Sequence, residues 1–481
     1  MLRALYGLVL GILSISLHAQ SAFKPVFHTP KKQFTLSFES VHNLMVIPVM
    51  IQGVRFHFIL DTGVNYTLLF VNHRHDLARF QTEALLLSGL GQGEPVKAYK
   101  TEGHEIHIGK MTLPNQTLLL LNKENFSFAK KMGTQIDGII GTAFFQHIVT
   151  TIDYGKTKLK VYAPEVFTPP KGKRFEQLPL DFYNNKPHIR ARVMRHNQPF
   201  EGTFLLDSGS SDALWMFENR LSDFQETVFF EDYLGHGING NVYGKRIKVD
   251  LLDLDFVRLK KVKVAYPEPA SFVTMNLKED RLGSIGGELM RRFKLTLDYP
   301  NRRLYLRKRP RIHAPFYYNM SGITLQYDGV EVQKQRSYAP TKLDESNTNT
   351  SGSVEIFLSE QVTIRLANIV VVAALRPGSP AAKAGLEVGD QLLRVNGKNL
   401  ACSNSMSSMD CFKKNRGPKS GLKSAEKEGL CINPLPYSPC WNKFGYSSMT
   451  VPLILRETTD WVWALEVTVM VFRNIPSRLV S

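Results

Sequence analysis

Cysteine is missing from the first 401 of the 481 residues, so no disulfide framework organises most of this chain. Stability there has to come from apolar burial. Beyond the N-terminus no run of 18 or more uncharged apolar residues occurs, which excludes a transmembrane helix from the rest of the chain. There is also no G-x-S-x-G and no complete P-loop. The nearest approach to a zinc-hydrolase motif is His104-Glu105-Ile106-His107. Its histidines are three apart, and on a strand they would point to opposite faces. Gly235-x-Gly237-x-x-Gly240 matches the dinucleotide fingerprint as a string. The following NVYGKRIKVDL, however, reads as a turn into a strand, where the fingerprint needs a helix.

What is present points to folded, β-rich domains. Hydrophobic residues make up 43% and charged residues 21%, enough to bury a core in each domain and too apolar for a wholly disordered chain. The length suits about three domains of roughly 150 residues. Lys+Arg number 60 against 43 for Asp+Glu, a net charge of +17. Such a surplus favours anionic partners. The cations are spread along the chain, and the densest run, Arg302 to Arg311, reads as a strand end entering a linker. No nucleic-acid partner is expected.

Met1 to Gln20 has the anatomy of a secretory signal. Arg3 gives a positive start, Ala4 to Leu17 is an apolar stretch of 14 residues, and Leu17-His18-Ala19 offers a small residue before the cut. An N-terminal core helix is the rival reading. With no cysteine near the cut, a lipid anchor is not expected. The expectation is an exported protein of the periplasm or cell envelope, or a secreted one. Too little chain lies between the cut and Phe34 for a long pro-segment. All four cysteines, Cys402, Cys411, Cys431 and Cys440, fall in one window. In an exported chain an even, local set reads as two disulfides with three possible pairings. A zinc site is the rival, although eight residues inside each pair is unlike the short C-x2-4-C knuckle. Free thiols are the third reading.

The first 310 residues repeat themselves. Phe56 to Phe70 reads FHFILDTGVNYTLLF and Phe200 to Phe217 reads FEGTFLLDSGSSDALWMF; Asp61 and Asp207 are 146 positions apart. Gly89-Leu90-Gly91 is matched by Gly235-His236-Gly237 at the same offset. Ile136 to Phe144 is matched by Arg281 to Leu289, and Thr151-Ile152-Asp153-Tyr154 by Thr296-Leu297-Asp298-Tyr299, both 145 apart. One D-T-G string recurs by chance; four landmarks in register do not. Short apolar runs with Gly, Pro and Asn punctuation, such as Ile106 to Ile108 and Leu118 to Leu121, favour strands, as does the alternation of Arg246 to Phe256.

These residues resemble the retropepsin/pepsin clan of aspartic proteases over about Phe34 to Lys308. In that clan each half supplies Asp-Thr/Ser-Gly and a hydrophobic-hydrophobic-Gly return segment. Here these are Asp61-Thr62-Gly63 with Ile139-Ile140-Gly141, and Asp207-Ser208-Gly209 with Ser284-Ile285-Gly286. The resemblance implies a mainly β fold: two tandem acid-protease β-barrel halves around a pseudo-twofold axis, residues 21–165 and 166–310. It implies catalysis by Asp61 and Asp207, bracing of their loops by Thr62, Gly63, Ser208 and Gly209, and flaps at Gly89, Gly91, Gly235 and Gly237. Two crowded carboxylates cannot both ionise cheaply, so they share a proton: one activates a water while the other polarises the scissile carbonyl. No metal, cofactor or covalent intermediate is needed. Both aspartates lie in one polypeptide, so a monomer is expected. Three positions depart from the clan: Val64 follows Gly63 where Ser or Ala is usual, Ser208 stands for Thr, and Ser284 replaces an apolar residue.

Val370 to Asn399 (VVVAALRPGSPAAKAGLEVGDQLLRVNGKN) resembles a bacterial-type PDZ domain. Ser379 suits an N-cap with Pro380 at the first helical position, Gly385 ends that turn, and Asn396-Gly397 signals a hairpin. The domain is expected over 311–475, with a first strand near Ser321 to Thr324 and last strands at Thr450 to Leu455 and Leu465 to Phe472. The polar tract Ser346 to Ser353 and the Cys window are read as insertions. The resemblance implies an extended peptide ligand held by its C-terminal carboxylate; Leu366, Ala367, Asn368 and Ile369 occupy the position of the binding loop. Three functions follow: an exported aspartic endopeptidase whose PDZ module recruits peptide or protein substrate, an inactive peptide-binding protein that keeps the protease fold, or a PDZ-based envelope scaffold.

Overall fold

The computed structural model describes residues 24–71, 81–123, 132–222, 224–340, 358–395, 398–399, 446–456 and 462–472. The signal segment Met1 to Gln20 and the four cysteines, Cys402, Cys411, Cys431 and Cys440, lie outside these residues. The chain divides into two compact units, Met1–Tyr318 and Asn319–Ser481. Both are mainly β, in line with the sequence reading. Among the described residues no helix is long and apolar enough to cross a membrane.

The first unit contains two barrels of the same design. In one, the strands Leu44–Ile51, Val54–Leu60, Gly138–Ile140, Thr67–Val71, Met111–Asn122 and Val96–Ile108 follow one another around a ring. The last pairs back onto the first through Met50 and His107. In the other, Lys186–Arg195, Gln198–Leu206, Arg281–Ile285, Leu214–Met216, Arg258–Pro267 and Gly240–Asp253 take the same order. That ring closes through Val193 and Leu252. Closure removes the edges that a β-sheet would otherwise expose.

A six-stranded sheet joins the halves, in the order Glu176–Pro179, Arg303–Lys308, Phe293–Asp298, Val149–Asp153, Lys158–Tyr162 and Gln33–Ser37. Three strands come from each side. The central pair is antiparallel, with Thr151 opposite Thr296, and their hydroxyls are 2.8 Å apart. These two threonines are the repeat-related residues of T-I-D-Y and T-L-D-Y, so the pseudo-twofold axis passes between them. The sheet's inner face alternates with charged outer positions: Leu159, Val161, Leu295, Leu297, Leu304 and Leu306 are buried, and Lys158, Arg303 and Arg307 are exposed. One apolar core runs continuously from these residues into both barrels. At about 1.5–3 kcal/mol per buried Leu or Val side chain, this shared core favours holding the halves in one geometry.

The second unit is built on the hairpin Ile323–Pro340 and Leu358–Leu375, followed by the helical turn Pro380–Lys383 and the strands Gln391–Val395, Tyr446–Arg456 and Val462–Phe472. Ser379 caps the turn: its Oγ accepts from Ala382 N at 3.3 Å, and Pro380 takes the first helical position, where its missing N–H is harmless. Gly385, at φ +85°, ends it. Val395 pairs with Lys398; Asn396 and Gly397, read from the sequence as a hairpin signal, lie outside the described residues. A small core gathers Ile323, Val370, Val372, Ala381, Leu386, Leu392 and Val395.

One expectation is overturned here. Leu366, Ala367, Asn368 and Ile369 do not form a loop. They lie inside the strand Leu358–Leu375, with Leu366 opposite Val332, Ala367 opposite Glu331 and Asn368 opposite Val330. The surrounding segment Val362 to Val372 has no glycine or proline and is rich in Val, Ile and Thr, which favours a ladder over the open amide nest that a carboxylate-binding loop requires.

Candidate active site

Each aspartate is set at the end of a strand that becomes buried as it goes. Val54–Leu60 starts exposed and ends on Phe58, Ile59 and Leu60, all at or below 4% exposure. Gln198–Leu206 does the same, ending on Phe204, Leu205 and Leu206. The return strands run parallel beside them, with Ile140 opposite Leu60 and Ile285 opposite Leu206. Asp61 N donates to Ile140 O at 2.9 Å, and Asp207 N donates to Ile285 O at 2.9 Å. Gly141 and Gly286 then pass under the loops. A Cβ on Gly141 would run into Val64 O, and one on Gly286 into Asp212 O.

The two loops interlock through their second residues. Thr62 N donates to Ser208 Oγ at 3.0 Å, and Ser208 N donates to Thr62 Oγ1 at 3.0 Å. Each hydroxyl also donates across the axis: Thr62 Oγ1 to Leu206 O at 2.6 Å and Ser208 Oγ to Leu60 O at 2.8 Å. Both side chains are fully buried. Serine at 208 keeps every bond of this network, so this departure from threonine leaves the bracing intact. Val64, the other departure in these loops, contributes its backbone: Val64 O accepts from Thr142 N at 2.9 Å, as Ser210 O accepts from Gly287 N at 2.7 Å in the other half.

The carboxyls meet at the axis. Gly63 N donates to Asp61 Oδ1 at 2.7 Å, and Gly209 N donates to Asp207 Oδ1 at 3.1 Å. The glycines also face the opposite carboxyl. A Cβ on Gly63 would stand 2.9 Å from Asp207 Oδ1, and one on Gly209 would overlap Asp61 Oδ2. Burial, and then the charge of Asp207, push Asp61 up to about 7. Burial raises Asp207 too, against the pull of Arg281 and Lys186. Two acids so placed hold one proton between them across a wide pH range. Among the described residues, no group of three His, Cys, Asp or Glu side chains is placed to hold a metal ion.

Two hairpins carry the candidate flap glycines. Gly89 and Gly91 lie in the connection 88–95 between Glu83–Leu87 and Val96–Ile108. Gly235 and Gly237 end the strand Phe230–Gly237, which turns into Gly240–Asp253. Two hairpins are present and their tips interlock. Asn239, 5% exposed, accepts at Oδ1 from Gly89 N and donates from Nδ2 to Glu94 O at 2.7 Å and Gly93 O at 3.3 Å. Its backbone N donates to Leu90 O at 3.0 Å, and its O accepts from Gly93 N at 2.6 Å. The neighbouring apolar residues cross over. Ile238 packs on the first half's cluster of Leu44, Val46, Ile59 and Leu68, while Leu90 packs with Leu234, Val242 and Trp215 of the second.

Sequence reasoning missed the basic groups beside the aspartates. Arg281, 5% exposed, opens the second return strand. Its Nε donates to Gly283 O at 3.0 Å, its Nη2 to Ser284 Oγ at 2.7 Å, and its guanidinium lies 5.3 Å from the Phe217 ring centre. That explains why Ser284 replaces an apolar residue: it is the acceptor for a buried guanidinium. Burial lowers Arg281 to about 10, against the charge of Asp207. Lys186 starts its strand half-buried; burial and Arg281 lower it, and both aspartates act to raise it. A lone Lys or Arg in an alternating strand reads as a solvated position, so only the fold could have brought these two to the dyad.

Paired Asp-Thr/Ser-Gly loops on two closed barrels, locked across a pseudo-twofold axis, define an acid-protease architecture. The comparisons with known families agree: residues 47–144 match the family model of aspartyl proteases, and residues 371–410 match that of PDZ domains. The chain joins an aspartyl protease domain to a PDZ domain. No curated protein matches it.

Proposed function

We propose that this chain is an exported aspartic endopeptidase. Asp61 and Asp207 activate a water between them, and the PDZ module captures peptide or protein substrate. The observation that carries this reading is the pair of buried carboxyls, each bonded to the glycine amide of its own loop and pressed against the glycine of the other. The two acids are not equivalent. Lys186 acts on both, but Arg281 acts on Asp207, and the hydrogen bond between the carboxyls lowers Asp207 while it raises Asp61; Asp207 is therefore the base that draws a proton from water. Asp61 then holds the shared proton and donates a hydrogen bond to the scissile carbonyl. Both acids come from one polypeptide, so a monomer suffices, and the N-terminal 20 residues direct export.

The test is cleavage of a diverse peptide library by purified mature protein from pH 3 to 8, with products read by mass spectrometry. Asp61→Asn and Asp207→Asn should each lower kcat by about 10^2- to 10^4-fold, the range for removing a general acid or base. Cuts that persist in both variants would overturn the assignment. A folded wild-type protein that cuts nothing at any pH would leave a peptide-binding protein or scaffold as the reading.

A further inference from the structure

The pseudo-twofold axis allows each residue of one half to be compared with its counterpart in the other. Strand registers fix the correspondence. Val46 faces Ile59 as His188 faces Leu205, so Leu44 corresponds to Lys186 and Val46 to His188. Ile139 faces Ile59 as Ser284 faces Leu205, so Ile139 corresponds to Ser284. Two residues before Gly138 and Gly283 stand Ile136 and Arg281. In the first half these four positions belong to one apolar cluster. In the second they are Lys186, His188, Arg281 and Ser284.

Polar residues at apolar core positions are costly unless they are paired or serve a ligand. The pairing here is incomplete. His188, 1% exposed, donates from Nδ1 to Lys186 O at 2.9 Å; burial and Arg281 hold it neutral, its pKa lowered to about 4. Arg281 uses Nε and Nη2 within its own strand. The Lys186 ammonium makes no hydrogen bond or ion pair among the described residues. The acids that act on Lys186 are Asp61 and Asp207 themselves, and the acid that acts on Arg281 is Asp207, with Arg220 adding a further cation. With one proton shared, the dyad carries one negative charge against two cations. The wall is left a net positive charge, carried by the half-buried Lys186 and the buried Arg281.

We propose that Lys186, with Arg281 behind it, forms a subsite for a carboxylate of the peptide substrate next to the scissile bond, while the matching wall of the first half, with Leu44, takes an apolar side chain. The inference deepens the protease reading and rests on it for its cleavage readout. A bound carboxylate neutralises the wall and adds charge-assisted hydrogen bonds to the Lys186 ammonium. It comes from an internal Asp or Glu, or from the peptide's own C-terminus.

The experiment uses the full mature chain and matched peptides. One set places Glu or Gln at each position flanking a mapped cut; another carries a free or amidated C-terminus. Wild type should favour the carboxylate member at one position by at least about 30-fold in kcat/KM, the scale for a desolvated charge pair. Lys186→Leu, which copies the first half, should bring that ratio close to one, and Lys186→Arg should keep it. Preference for internal Glu assigns the side chain; preference for the free terminus assigns the terminus. A wild-type ratio near one overturns the inference while leaving the protease reading in place. So does a Lys186→Leu variant that slows both members equally, because Lys186 would then act only on the aspartates. If wild type cuts none of the peptides, the protease reading fails on its own, and fluorescence anisotropy on the same pairs decides the subsite. Tighter binding of the carboxylate member, lost in Lys186→Leu, supports it, and equal binding overturns it.

Discussion

Ser208 shows how much one small side chain does at the axis. Its Oγ accepts from Thr62 N and donates to Leu60 O, both buried. Ser208→Ala strands both backbone groups and should cost about 1–3 kcal/mol, the penalty for buried groups left unsatisfied. Ser208→Thr, which makes the loops identical, should keep full stability in denaturant titration. The carboxyls give a second residue-scale prediction. Asp61 is near 4 when unfolded and raised to about 7 when folded. Between those values the folded state binds more protons than the unfolded state, so stability falls as pH rises from about 4 to about 7 and levels off above. His188 opposes this: its folded pKa is lowered to about 4 from 6.5, so its contribution grows as pH rises through the same range. The difference between wild type and Asp61→Asn removes the His188 term. The melting temperature of wild type relative to that variant should therefore decline from pH 4 to 7. A flat difference would mean that Asp61 ionises at its ordinary pKa.

At the scale of elements, the hairpins that meet at Asn239 behave as one unit. Five hydrogen bonds from this residue, together with Ile238 and Leu90 packed into opposite halves, join segments about 150 positions apart. Opening either flap breaks bonds to the other, so the two should open together. Asn239→Ala removes the three side-chain bonds and leaves Gly89 N and Glu94 O to find water. Hydrogen exchange should rise by the same factor in 88–95 and in 235–240, while the six-stranded sheet stays protected. Faster exchange in 235–240 alone would mean that the tips are independent. Gly91, at φ +127° with Asn239 packed against it, sits where a side chain would be both strained and obstructed. That accounts for a glycine-rich sequence at this tip better than mobility alone.

The whole molecule was legible where the sequence repeats itself. The offset between Asp61 and Asp207 recurs in the Thr62–Ser208 lock, and that between the T-I-D-Y and T-L-D-Y segments in the Thr151–Thr296 pair, because duplication sets both spacings. What did not repeat stayed hidden. Lys186 and Arg281 have apolar counterparts, and nothing local marks a lysine at a strand start as facing a dyad. The place of Leu366 to Ile369 in the motif suggests a loop, whereas the Val- and Ile-rich segment around them suits the strand they occupy. Asn319–Ser481 holds its own core around Ile323, Val372 and Leu392, and the first unit's core is complete by Phe316. Truncation should therefore come after Tyr318, since Arg292 donates to Ile312 O and Ala314 O and lies 3.5 Å from the Phe316 ring centre. A chain ending at Tyr318 should retain a cooperative melt and cut a short unstructured peptide with the kcat of the full chain, because the dyad and both flap hairpins lie within Met1–Tyr318. Rates on long protein substrates should fall through KM, as expected when a second binding site that raises effective concentration is removed. Loss of kcat on the short peptide, with folding intact, would mean that the PDZ unit acts on the catalytic step itself and not on substrate capture.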